Sequence, residues 1–269
     1  MSSKNQKAAE ARAKAQAQVR AQERRTTLMI IAGSVAGLAI FAAVVIFIVN
    51  QGKVPELGSD GATSPVASDS TGGIPVGTSG VVGVDVPTDA VRVDIYLDYM
   101  CPICGVFEDT NAADIDEMRE AGDIQVYYHP ISILDRYSNG TNYSTRSAAA
   151  AGVVANDAPE AFLDFSNALF ANQPAENTDG LSDDEIEQIA LDAGVPADVA
   201  GSLVNDDFKK WATAATQQAS VDGMQGTPTV RISATGSFDD GLILNADSSS
   251  PSVDYFTDGN LKAYIESLG

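Results

Sequence analysis

The sequence predicts an α/β domain interrupted by a block of helices and carried behind one membrane-spanning helix and a flexible linker. Three observations predict it. An uncharged apolar run lies near the N-terminus. A strand, a Cys-x-x-Cys pair, a helix and a second strand follow one another in mid-chain. A long helical stretch then intervenes before the chain returns to strand.

The apolar run, Leu28 to Val49, holds 22 residues with no charge and only Ser34 as a polar side chain. A helix of that length rises about 33 Å, which matches a bilayer core and satisfies its backbone internally. It is longer than a signal-peptide core, and Val49-Asn50-Gln51-Gly52 is a poor cleavage site, so the expectation is an uncleaved anchor. Gly33 and Gly37 are spaced as in a helix-dimerisation motif, although ordinary glycine use in a membrane helix is the preferred reading. Seven Lys/Arg against two Glu give residues 1–27 a formal charge of +5, and Arg24 and Arg25 border the run. Positive flanks stay cytoplasmic, so residues 1–27 read as a solvated basic tail and residues 50–269 as extracytoplasmic.

The whole chain of 269 residues carries −21, so the part beyond the basic tail carries −26. A polyanion would be repelled by it, which excludes nucleic acid as a partner. Residues 50–80, rich in Gly, Ser, Thr, Pro and Asp, read as a flexible linker, and the folded domain as residues 81–269.

Within that domain Val91 to Leu97 is a strand rich in β-branched residues. Cys101-Pro102-Ile103-Cys104 follows. Gly105 to Ala121 reads as a helix burying Phe107, Ile115 and Met118 and ended by Gly122. Ile124 to Tyr128 is a second strand, so the unit is a parallel crossover. The helical stretch covers about residues 143–221, within an insertion of about 140–222. Ser182 and Glu185 form a capping box there. Phe162, Phe165 and Leu169 make one core stripe, and Trp211, Ala215 and Ala219 another. Strands return at Thr229 to Ile232 and Leu242 to Leu244, and a last helix holds Leu261, Tyr264, Ile265 and Leu268.

The chain has only two cysteines, at i and i+3. A scaffold stapled by disulfides would spread several along the chain, so these two point to chemistry. Cys101 at a helix N-terminus meets unpaired N–H groups and the positive end of the macrodipole, which favour a thiolate. Pro102 suits the first turn. Cys104, one turn on, can resolve a mixed disulfide. An inert structural disulfide is the alternative, although so short a loop is a weak staple. Zinc needs about four ligands and His129 is the sole histidine, so no metal is expected. Gly226-Thr227-Pro228-Thr229 precedes the third strand, where proline suits a turn, in cis or in trans.

Together, Tyr96-Leu97-Asp98-Tyr99-Met100-Cys101-Pro102-Ile103-Cys104-Gly105-Val106-Phe107-Glu108 and Gly226-Thr227-Pro228-Thr229 resemble the active-site segment and cis-proline loop of the DsbA-like thiol–disulfide oxidoreductases, over about residues 85–269. The resemblance implies a thioredoxin-like fold with an inserted α-helical domain. It also implies Cys101 as nucleophile, Cys104 as resolving thiol and Pro228 in cis. Thr227 would set redox behaviour and client release. The membrane-anchored actinobacterial members look similar in layout. No cofactor beyond the Cys101–Cys104 disulfide is implied. The partners implied are exported unfolded or reduced proteins and a membrane protein that reoxidises or reduces the site.

Two departures from the family matter. Ile103 stands where strongly oxidising members often carry His, and it offers the thiolate neither charge nor hydrogen bond, so a weaker oxidant is expected. Ile95 stands where relatives often carry a buried acid, with Asp94 and Asp98 on the other strand face. Asp98 reads either as a proton relay or as a solvated loop acid. His129, at the end of the second strand, reads either as a group that tunes the thiolate or as a buried structural histidine. The leading function is an oxidase donating its disulfide to exported proteins. A reductase or isomerase on the same scaffold, or a redox-inactive tethered chaperone, are the alternatives.

Overall fold

The computed structural model describes residues 54–269 apart from Asp60, Asn205 and residues 245–251. The expected membrane helix, residues 28–49, and the basic tail lie outside the described residues. Among the described residues no helix is long and apolar enough to cross a membrane.

A five-stranded sheet forms the centre, in the order β1-β3-β2-β4-β5. Its strands are β1 (Ile74–Val76), β2 (Val91–Leu97), β3 (Ile124–Pro130), β4 (Thr229–Ser233) and β5 (Leu242–Leu244). β2 and β3 are parallel and every other pairing is antiparallel. β2 sits centrally between β3 and β4, and all seven of its residues are buried. Val, Ile and Leu fill its odd positions, while Arg92, Asp94 and Tyr96 share the other face. Its apolar and polar halves are therefore both covered.

The crossover from β2 to β3 is helix α1 (Pro102–Ala121). Pro102 takes the first position, where its missing N–H has no intrahelical acceptor. Phe107, Ile115 and Met118 are buried, at the spacing of one helical stripe. Gly122 ends the helix at φ 79, a left-handed conformation that a side chain would resist. Its N–H and that of Asp123 close on the carbonyls of Arg119 and Met118.

Between β3 and β4 the described residues form α2 (Tyr143–Asp157), α3 (Phe162–Ala171), α4 (Asp183–Asp192), α5 (Ala197–Ala200) and α6 (Asp206–Val221). Pro159, Pro174 and Pro196 stand in three of the connections, where a proline cannot continue the preceding helix. Ser182 caps α4 and Glu185 reaches back to the cap N–H, the reciprocal capping box. Phe162, Phe165, Leu169 and Trp211 are fully buried. A final helix, α7 (Asn260–Glu266), buries Leu261 and Ile265 and packs on α1.

The sequence places residues 50–80 in the linker, and this needs correction. Ile74, Pro75 and Val76 pair with Tyr128, Tyr127 and Val126 as β1. Asp69 accepts from the Arg92 guanidinium at 2.6 Å. The compact unit begins at Val54. A three-residue strand is too short to show a period, and the turn-forming residues around it dominate the composition.

Candidate active site

The site forms where the chain leaves β2 and where it enters β4. Tyr96 pairs with Thr229 across these antiparallel neighbours, so the loop after β2 and the loop before β4 emerge at one sheet edge. Cys101 ends the first loop as the N-cap of α1, with extended backbone and no side-chain cap. Its carbonyl accepts from Cys104 N at 2.9 Å and Gly105 N at 3.3 Å, and its own N–H donates to Asp98 O at 2.9 Å. The second loop contains a cis peptide between Thr227 and Pro228.

Both cysteines are free thiols and buried. The Cys101 thiol donates to the Thr227 carbonyl at 3.4 Å. Hydrogen bonding from the Cys104 thiol brings the Cys101 pKa down to about 7 against the opposing effect of burial, with a further contribution from the Thr227 side chain. The Thr227 hydroxyl is buried without a partner in this dithiol form, so a thiolate at Cys101 offers it an acceptor. Burial, together with the neighbouring Cys101 sulfur, pushes the Cys104 thiol far up. The pair is thus asymmetric: one thiol ionises near neutrality and the other holds its proton. Pro102 and Ile103 face outward on the first turn, and Ile103 is 53% exposed.

Ile103, Thr227, Pro228, Ile243, Tyr255 and Phe256 line an open groove of about 480 Å³ beside the thiols. Tyr255 has no precursor in any sequence motif, yet it ties the wall together. Its hydroxyl donates to Pro228 O at 3.3 Å, its carbonyl accepts from Asn111 Nδ2 on α1 at 2.9 Å, and its ring meets Phe107 edge-on.

Asp98 is fully buried, which overturns its reading as a solvated loop acid. Its carboxylate accepts from Met100 N at 2.9 Å and Leu134 N at 3.0 Å. Burial raises its pKa to about 6 against the pull of those N–H groups. It shapes the turn into Cys101, and its charge opposes the thiolate there.

His129 is held away from the sulfurs. Its Nε2 lies 2.9 Å from Asp94 Oδ1 and its ring stacks on Tyr96 at 4.1 Å. Asp94 also takes a two-pronged contact from Arg92, at 2.8 and 2.7 Å. His129 does end β3 on the edge that carries the cysteines, but its side chain turns onto the Arg92–Asp94 face of the sheet. Of the two readings of His129, these contacts support the buried structural one. Glu108, which closes the active-site segment but is given no role by the sequence, has a buried Oε1 with no partner, and burial raises its pKa to about 7.

A thioredoxin sheet, a helix capped by a reactive cysteine, a facing cis-proline loop and an inserted helical block define a thiol–disulfide oxidoreductase of the DsbA type. The chain belongs to the thioredoxin family, whose model matches residues 87–237. Among solved structures it resembles DsbA from Mycobacterium tuberculosis in its reduced form. The identity is 28% and the TM-score 0.54, covering 73% of this chain and 91% of that one. DsbG from the same organism is 29% identical with a TM-score of 0.54, over 73% and 86% of the two chains. MdbA from Actinomyces oris, a thiol–disulfide oxidoreductase, shares the fold at 21% identity and a TM-score of 0.58, over 80% and 96%. A segment of 107 residues is 38% identical to the serine/threonine-protein kinase PknE of Mycobacterium tuberculosis. That match covers 38% of this chain and only 19% of the kinase.

Proposed function

We propose that the protein is an extracytoplasmic, membrane-anchored oxidase that donates a Cys101–Cys104 disulfide to exported proteins. The observation that carries the reading is the asymmetry of the thiols. Cys101 is pulled down to about 7 beside Thr227, while Cys104 is held protonated. The anchor and the orientation rest on the uncharged run 28–49 and its positive flank.

A client thiolate attacks the Cys101 sulfur and the Cys101–Cys104 bond breaks, with Cys104 leaving and taking up a proton. A second client thiolate then attacks the client sulfur of the mixed disulfide, and Cys101 leaves as a thiolate. The client loses two electrons and gains a disulfide; the site gains the two electrons and becomes the dithiol. Stabilising the Cys101 thiolate favours that last departure, and so favours donation over acceptance. The open groove beside Pro228, with Ile103, Ile243 and Phe256 next to Thr227 and Gln225, suits an extended, unfolded segment rather than a folded surface. A membrane partner must then remove the two electrons from the dithiol.

A reductase reading draws support from Ile103, which gives the thiolate no polar contact. Equilibrating the full chain with glutathione buffers and trapping its thiols separates the two readings. A potential above about −200 mV supports disulfide donation; one near about −270 mV, where thioredoxin lies, supports the reductase and overturns the oxidase.

A further inference from the structure

The helical insertion sends one polar side chain to the active-site turn. Gln173 lies just beyond α3, with its N–H on the Phe170 carbonyl at 3.1 Å. Its Nε2 donates to Tyr99 O at 3.1 Å and to Cys101 O at 2.9 Å. Both neighbours are carbonyl oxygens, so the amide nitrogen, with its two protons, is the end that faces them. On the other side Gly105 makes room. A Cβ at that position would lie 2.8 Å from Gln173 Oε1, closer than such atoms approach. Tyr99 docks on the same helix, its hydroxyl 3.0 Å from Ser166 Oγ and its ring 4.9 Å from that of Phe170.

We propose that Gln173 is a positioning residue for the Cys101 thiol, clamping the carbonyls of Tyr99 and Cys101 so that the reactive turn is held by the helical insertion. The inference rests on the dithiol reading above. Two carbonyl oxygens on the turn that carries the sulfur present negative charge close to a developing thiolate. A donor shared between them offsets that charge and fixes the peptide plane that aims the sulfur at Thr227. The thioredoxin half of the fold supplies the cysteine and the loop facing it. The insertion adds a side-chain donor to the cysteine's own carbonyl, beside the N–H groups of Cys104 and Gly105, so it acts on reactivity as well as on client access.

The test uses the full chain with Q173A, Q173E and G105A. The glutamate keeps the length and packing of the glutamine but cannot donate once ionised. G105A displaces the amide while leaving residue 173 a glutamine. The readouts are the pH dependence of Cys101 alkylation, the equilibrium with glutathione, and thermal stability. Each variant is expected to slow alkylation near neutral pH, and to shift the equilibrium toward the disulfide, by roughly two- to tenfold, the effect of one lost hydrogen bond. G105A combined with Q173A is expected to be no worse than either alone, because both remove one contact. Variants that melt earlier but titrate and equilibrate like the wild type overturn the inference and leave Gln173 a structural staple. A shift in Q173E but not in Q173A or G105A also overturns it, because the added charge alone then accounts for the effect. A wild-type chain that does not equilibrate with glutathione overturns the dithiol reading itself, a separate failure.

Discussion

The Cys101 thiol donates to the Thr227 carbonyl at 3.4 Å, although 126 residues separate them in the chain. The contact is a consequence of strand order. β2 and β4 are antiparallel neighbours, so the segment leaving one and the segment entering the other face each other, and the whole helical insertion must fit between them in sequence without parting them in space. The reactive sulfur is presented by a helix terminus and watched by a loop that belongs to a different part of the chain.

The asymmetry of the two thiols predicts asymmetric chemistry. In the reduced protein Cys101 should alkylate with a midpoint near pH 7, following its lowered pKa, while buried Cys104 stays unmodified to far higher pH. Replacing Cys101 by Ser should abolish disulfide exchange. Replacing Cys104 by Ser should leave attack intact and accumulate mixed disulfides with client. Mass spectrometry of alkylated and client-bound protein checks all three outcomes. Persistence of exchange in the Cys101 variant would sink the assignment of the nucleophile.

Position 103 offers the next lever. Ile103 is 53% exposed on the first turn, between the two cysteines and on the rim of the groove. Ile103→His places a polar and partly cationic group beside the thiolate and should make the site more oxidising, by about 30 mV for each 1.4 kcal/mol of added thiolate stabilisation. The glutathione equilibrium measures it. An unchanged potential would mean that the exposed side chain turns to solvent and leaves the sulfur alone.

Much of this arrangement is legible in the sequence, because it is written in local signals. The β-branched run 91–97, the Pro102 start and Gly122 stop of α1, and the Ser182–Glu185 box each report their element within a few residues. The sequence is mute where partners come from afar. Alternation puts Arg92 and Asp94 on one face of β2 but does not say that Asp69 and His129 meet them there, so the sequence leaves His129 between a tuning and a structural reading. β1 is hidden because Ile74, Pro75 and Val76 carry no period of their own. Gln173 and Tyr255 carry no signal, since each acts through backbone carbonyls that any sequence possesses.

The Arg92–Asp94–His129 cluster should be costly to break. Asp94 is 1% exposed, and its removal leaves a buried guanidinium with Asp69 as its remaining carboxylate among the described residues, beside the Tyr127 ring. Asp94→Ala is expected to destabilise the domain by about 3–5 kcal/mol, the range for breaking one side of a buried ion pair. Chemical denaturation reads this directly. A loss below about 1 kcal/mol would mean that water or backbone takes over the Arg92 contact.

Glu108 sets the pH dependence of stability in the opposite sense to a paired carboxylate. Its Oε1 is buried without a partner, and burial, with Asp116 and Asp109 adding to it, raises the pKa from 4.5 to about 7. Between those two values the folded protein keeps a proton that the unfolded chain has released. Its contribution is therefore most favourable below the unfolded value and is lost as pH rises through about 7, by up to about 3 kcal/mol at alkaline pH. Glu108→Gln is neutral throughout and should flatten this part of the profile. It should leave the melting temperature near pH 4 unchanged and raise it near pH 8 by roughly 6–12 °C. Melting curves of both proteins across that range decide the point. Equal slopes would show that the Glu108 carboxyl reaches solvent when it ionises, and that the side chain swings out of the α1 packing rather than titrating within it.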